Sequence, residues 1–219
     1  MNRAALAARI DHTILKADAT RAAVTKVVDE ARAYGCASVC VNGKHVAFVA
    51  RALAGSNVLA CAVVGFPLGA MDSRAKAQET ASVVAAGARE VDMVIDVGAL
   101  KDCDDARVRD DIRAVVEAAD GVPVKVILET CLLTHDEKVR ACEASVAAGA
   151  AFVKTSTGFS TSGATLDDVR LMRKTVGTRC KVKASGGIRD LAAALAMIEA
   201  GADRLGLSAT VAILEALPN

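Results

Sequence analysis

The chain has 219 residues, 53% of them hydrophobic, and its charges nearly balance at a formal net +1. That length fits one domain with a sizeable core. The balance leaves no basic face for nucleic acid, and aromatics at 2% with no Trp leave no stacking platform for a single strand.

The first twelve residues, MNRAALAARIDH, lack the apolar core of a signal peptide, and no apolar run reaches membrane-spanning length. Residues 2–9 read as a short helix covering the bottom of the fold, and IDHTIL (10–15) as the first strand. A phrase then recurs: glycine, a small or polar residue or two, and an apolar strand. It appears as YGCASVCV (34–41), AGSNVLACAVV (54–64), AGAREVDMVI (86–95), DGVPVKVIL (120–128), AGAAFVK (148–154), VGTRCKVK (176–183) and AGADRLGL (200–207). An Ala-rich amphipathic stretch of helical length precedes each. The glycine suits a left-handed helix C-cap, and the run after it suits a strand buried on both faces. Thr134-His135-Asp136-Glu137 reads as a capping box and Thr165-Leu166-Asp167-Asp168 as a weaker one. Ser73, Asp104 and Asp190 read as N-caps. The sum is an α/β chain of eight strands alternating with eight helices, a (β/α)8 TIM barrel in a single domain over residues 1–219. An open doubly wound sheet would want a reversal of strand order and a nucleotide fingerprint, and the sequence carries no such fingerprint.

In a barrel the chemistry sits at the carboxyl ends of the strands. Those ends gather the oddities of the chain. Lys154 interrupts the apolar strand AAFV and opens the polar loop Thr155-Ser156-Thr157-Gly158. Such a lysine is an amine nucleophile, a fixed charge for an anionic substrate, or a structural residue reaching the surface. Lys183 is expected to end the neighbouring strand, within reach of Lys154. An ordinary lysine, with a pKa of about 10.4, offers a free amine in only about 1 molecule in 2,500 at pH 7. A like charge and partial burial both lower that pKa, so one lysine reads as the nucleophile and the other as its activator. Asp92 breaks the run VDMVI, and a carboxylate there needs a cation, which the two lysines supply. An Asp–Lys pair with water would form a proton relay. Asp11 is placed similarly.

Three further loops, STG (156–158), SGGIR (185–189) and GLS (206–208), are small and glycine-containing, and SGGIRD runs into a helix. Backbone N–H groups at such a start bind phosphate. Gly158 to Gly163 mimics the spacing of a nucleotide loop, but Ala164 stands where its lysine is required. The three histidines, His12, His45 and His135, lie on separate elements without ligand spacing, so no metal is expected, and no redox-cofactor fingerprint appears. Seven cysteines (Cys36, Cys40, Cys61, Cys103, Cys131, Cys142 and Cys180) form no CxxC pair and read as free thiols of a reducing cytoplasm.

The motifs IDHTILKADAT (10–20), SVCVN (38–42), VVGFPLGA (63–70), EVDMVIDVGALK (90–101), KVILETCLLT (125–134), FVKTSTGF (152–159) and KVKASGGIR (181–189) together resemble deoxyribose-phosphate aldolase, in order and with natural spacing. The resemblance implies reversible cleavage of 2-deoxy-D-ribose 5-phosphate to acetaldehyde and D-glyceraldehyde 3-phosphate through a lysine Schiff base, without cofactor. It implies that Lys154 is the Schiff-base lysine, Lys183 the lysine that keeps it reactive, and Asp92 the aspartate of the relay. It places Gly158, Gly186, Gly187, Gly206 and Ser208 around the phosphate, and Asp11 and Thr13 near the other end of the pocket. It implies small-molecule partners and a homodimer or higher homo-oligomer. The chain departs from the pattern at Phe159, where some relatives carry lysine, at Gly43, where proline is common, and at its end LPN, where some relatives have a terminal tyrosine. Cys40 is expected to end strand two as a packed thiol. The rival readings are another Schiff-base aldolase or transaldolase, an isomerase or synthase barrel using lysine as an acid, and a silent sugar-phosphate-binding barrel.

Overall fold

Each glycine-led phrase becomes a strand, and IDHTIL supplies the eighth. The structure, a computed structural model, describes residues 1–217; the LPN ending at Pro218 and Asn219 lies outside the described residues. In chain order the elements are α1 (Arg3–Ala7), β1 (Ile10–Ile14), α2 (Arg21–Tyr34), β2 (Ser38–Val41), α3 (Val46–Ala52), β3 (Leu59–Val64), α4 (Ser73–Ala85), β4 (Glu90–Val94), α5 (Val97–Lys101), α6 (Asp105–Ala118), β5 (Val124–Ile127), α7 (His135–Ala147), β6 (Phe152–Lys154), α8 (Leu166–Val176), β7 (Lys181–Ser185), α9 (Leu191–Glu199), β8 (Arg204–Leu207) and α10 (Thr210–Glu215). The strands pair in parallel in sequence order. Asp11 of β1 pairs with Gly206 of β8, which closes the barrel and excludes the open sheet.

Local chemistry explains the boundaries. All seven hinge glycines have positive φ, from 57° at Gly177 to 117° at Gly201. Thr134 and Glu137 form the expected capping box, and Asp104, Thr165 and Asp190 cap their helices through side-chain oxygens. Ser73 does not cap α4. Asp72 accepts from the Arg74 N–H instead, while the Ser73 hydroxyl donates to buried Asp111 at 2.7 Å. The N-terminal helix is shorter than the 2–9 stretch: Asn2 caps it, and Arg3 donates to the carbonyls of Leu214 and Leu217, tying it to the end of α10.

The strands have two different faces. Their outward residues, among them Val39, Val91, Met93, Val126, Val153, Val182 and Leu205, pack against the helices in the main apolar core. The barrel interior holds a small apolar cluster of Leu15, Cys40, Cys61 and Val63 with Phe66 against it, and the Phe152 ring, which lies against Lys125 and Arg204. Strand parity turns the other interior positions over to charge. Such interiors are usually filled with layers of branched apolar side chains; here Asp11, Glu90, Asp92, Lys125, Lys154 and Lys183 are buried together, with Arg204 mostly covered beside them.

Candidate active site

Asp92 is the centre of this cluster. One carboxylate oxygen, Oδ1, accepts from Lys125 Nζ at 2.8 Å and from the Cys61 thiol at 3.2 Å. The other, Oδ2, accepts from Lys154 Nζ at 2.8 Å and Lys183 Nζ at 2.7 Å. Asp11 lies 2.5 Å from Lys183, 2.6 Å from Arg204 and 3.6 Å from Lys125. Glu90 completes the set, 2.7 Å from Lys125 and 3.2 Å from Arg204.

Three carboxylates (Asp11, Glu90, Asp92) therefore face four cations (Lys125, Lys154, Lys183, Arg204). The cations are not equivalent. Lys125 touches all three carboxylates, and Lys183 and Arg204 touch two each. Lys154 touches Asp92 alone and stands last on its strand. A buried charge is tolerated only when paired. Because Lys125 and Lys183 also hold Asp92, the charge of Lys154 can be removed without leaving a carboxylate unpaired.

Burial alone would raise the pKa of Asp92, but Lys125, Lys154 and Lys183 together outweigh it and hold the carboxyl well below the usual range. Asp11 is likewise pushed up by burial and pulled below its ordinary value by Lys183, Lys125 and Arg204. Burial opposes charge on Lys183, yet Asp11 and Asp92 overcome it and hold the ammonium above the ordinary lysine range. Lys125 is raised by the same balance, with Asp92 the leading attraction.

The structure brings Lys154, Lys183, Asp92 and Asp11 together as expected, with two differences. Lys183 does not end β7, which continues to Ser185, so its fully buried chain lies deeper than Lys154. The two ammonium groups also do not face each other bare. Asp92 Oδ2 lies between them, because two like charges this deep need a shared anion. Sequence reasoning missed Lys125, Glu90 and Arg204. Lys125 interrupts VPVKVIL as plainly as Lys154 interrupts its own strand, and Glu90 shares parity with Asp92. Cys40 does not end β2; it is buried one residue before the end, opposite Cys61. The sulfurs of Cys40 and Cys61 and an Asp92 oxygen lie within 4.8 Å of one another. Two thiols and a carboxylate could ligate a soft metal, but three ammonium groups hold that carboxylate and oppose a further cation.

The glycine loops line the same rim. Gly158 is exposed with φ 85°, and Gly186 and Gly187 follow each other at 84° and 79°. A Cβ on Gly163 would stand 2.2 Å from the Gly186 carbonyl oxygen, so absence of a side chain lets the β6 and β7 loops touch. Ser156, between Lys154 and Gly158, is buried with its hydroxyl unpaired. At the start of α9 the Asp190 carboxylate accepts from the Ala193 N–H and places a negative charge beside that helix end. Ser208 is exposed just beyond β8. Gly206 lies against Lys183, whose Cε would stand 3.1 Å from an added Cβ, so it makes room for that lysine. The Thr13 hydroxyl turns back onto the Asp11 carbonyl at 2.8 Å and makes no bond to the charged cluster. Phe159 is 55% exposed and packs edge-on against Phe66.

Fold and site together define a class: an α/β-barrel enzyme with a buried lysine–carboxylate cluster beneath a rim of glycine loops. The chain belongs to the DeoC/LacD family of aldolases, whose family profile matches residues 5–216. It is 59% identical over 210 residues to a deoxyribose-phosphate aldolase from Alkaliphilus oremlandii, covering 95% of each chain. It is 60% identical over 211 residues to one from Geobacillus, covering 96% of this chain and 95% of that one. Among solved structures, the tetrameric deoxyribose phosphate aldolase from Aeropyrum pernix superposes with a TM-score of 0.91 at 34% identity, covering 98% of this chain and 91% of that chain.

Proposed function

We propose that the protein cleaves 2-deoxy-D-ribose 5-phosphate reversibly to acetaldehyde and D-glyceraldehyde 3-phosphate, with Lys154 as the Schiff-base lysine. One observation carries the proposal: Lys154 and Lys183 donate to the same oxygen of Asp92, in a cluster with one more cation than carboxylate. Lys154, with its proton lost, adds to the aldehyde carbon of the open-chain sugar, and loss of water gives an iminium. The iminium takes up the electron pair of the C2–C3 bond as the 3-hydroxyl gives its proton to a water of the Asp92–Lys183 relay. Glyceraldehyde 3-phosphate departs and an enamine of acetaldehyde remains. Lys183 and Asp92, with water, return a proton to that carbon, and hydrolysis of the new iminium frees acetaldehyde and Lys154. Asp92 stays ionised and holds the developing positive charge on nitrogen, in a site too dry to screen it. The loops carrying Gly158, Gly186, Gly187 and Ser208 bind the phosphate end through N–H and hydroxyl groups, and Asp11 acts through Lys183.

The activities borne by relatives at about 60% identity support this choice of substrate. The tetrameric relative supports a homo-oligomer, and seven free cysteines support a cytoplasmic setting. Among the described residues no helix is long and apolar enough to cross a membrane.

The test is acetaldehyde release from deoxyribose 5-phosphate. Wild type should be active, Lys154→Ala should lose about 10³-fold or more, and Lys183→Met should lose about 10²–10³-fold in kcat. Activity only with a dihydroxyacetone-type donor would move the protein to another aldolase class.

A further inference from the structure

Glu129 is a buried carboxylate that the chemistry above does not use. It follows β5 on the rim, is 3% exposed, and forms no ion pair among the described residues. Its backbone is left-handed, with φ 57° and ψ 61°, a conformation that costs a side-chain-bearing residue energy. A buried carboxylate without a cation, on strained backbone, needs compensation from what it touches.

Its carboxylate is held mainly by Thr157, with the Cys131 thiol a more distant donor to Oε1 at 4.0 Å. Oε1 accepts from the Thr157 backbone N–H at 3.2 Å, and Oε2 accepts from the Thr157 hydroxyl. The Thr157 hydroxyl oxygen in turn accepts from the Phe159 N–H at 3.0 Å. The next residue, Thr130, donates its N–H to the Thr155 carbonyl at 3.0 Å. Gly158 is therefore bracketed: the residues before and after it are both tied, directly or through Thr157, to Glu129. Gly158 itself carries no side chain, and at φ 85° nothing within 4 Å of a would-be Cβ restrains it. Its direction is set by its neighbours.

We infer that Glu129 is a positioning residue that aims the Gly158 turn at the anionic end of the substrate. The inference rests on the aldolase reading and names the group that shapes its phosphate subsite. An anionic side chain suits this task because it uses up the N–H and O–H of Thr157 in a fixed geometry, leaving the Gly158 N–H as the donor free for the ligand.

The experiment compares Glu129→Ala with wild type on two substrates, 2-deoxyribose 5-phosphate and unphosphorylated 2-deoxyribose, with inorganic phosphate as a competing ligand. The expected result is a KM for the phosphorylated sugar raised by about tenfold, the effect of one misplaced charge-assisted contact. Phosphate inhibition should weaken by the same factor, while kcat/KM on the unphosphorylated sugar should hold within about twofold. Glu129→Gln keeps the size and one acceptor. It should show the same split at smaller magnitude, and it carries the test if the alanine variant does not fold. Equal losses on both sugars would overturn the inference, as would an unchanged phosphate inhibition. Wild type inactive on both sugars would instead remove the aldolase reading itself.

Discussion

At the scale of residues, Lys125 and Lys154 look alike in sequence but differ in what they hold. Lys125 touches Asp11, Glu90 and Asp92, and removing it leaves buried carboxylates short of a partner. Lys125→Met is therefore expected to destabilise the fold by about 3–5 kcal/mol. Lys154→Met should abolish activity yet shift stability by no more than about 1 kcal/mol, because three cations still meet three carboxylates. Urea denaturation of both variants checks the pair, and equal destabilisation would refute the charge count. Lys154, Lys183 and Asp92 were legible because each breaks an apolar run, although Lys183 and Asp92 stand in the middle of their strands. Lys125 gave the same signal near the start of β5, away from the rim on which the reading concentrated. Glu90 and Arg204 open their strands, and only closure of the barrel brings them to the others.

At the scale of elements, the β6 and β7 loops act as one piece. Gly163→Ala would force its Cβ against the Gly186 carbonyl and push the loops apart. The expected outcome is a raised KM for the sugar phosphate with a smaller change in kcat, read by steady-state kinetics. The capping box of α7 offers a separate test. The Lys101 ammonium and the Thr134 N–H lower the Glu137 pKa from 4.5 to about 2. A depressed carboxylate contributes stability that is present above its unfolded value and lost as pH falls through its folded one. Wild type should thus exceed Glu137→Ala in stability at neutral pH, and the difference should close between pH 4.5 and about 2. Caps at Asp104, Thr134, Thr165 and Asp190 were legible because they depend on three or four adjacent residues. Ser73 was misread because its hydroxyl is claimed by Asp111, far along the chain on α6.

At the scale of the whole molecule, the barrel is closed around charge, and its pH response should show it. Asp11 and Asp92 are held below their ordinary range, so their contribution is present above about pH 3.9 and lost on acidification below it. Lys125 and Lys183 are held above theirs, so their contribution is present below about pH 10.4 and lost only at higher pH. Thermal melting should therefore show a broad plateau between these limits; a decline already near neutral pH would contradict it. The barrel itself was legible from seven repeats of glycine and strand together with the opening strand IDHTIL. Its polar interior was not, because that depends on register: Lys154 stands opposite Lys183, and Asp92 opposite Lys125.

The most direct measurement is intact mass after borohydride reduction in the presence of acetaldehyde, for wild type, Lys154→Ala and Lys183→Ala. The expected result is one reduced two-carbon adduct on wild type, none on Lys154→Ala, and a slow but detectable adduct at Lys154 in Lys183→Ala. No adduct on wild type, or one that persists in Lys154→Ala, would contradict the assignment of Lys154 as the nucleophile.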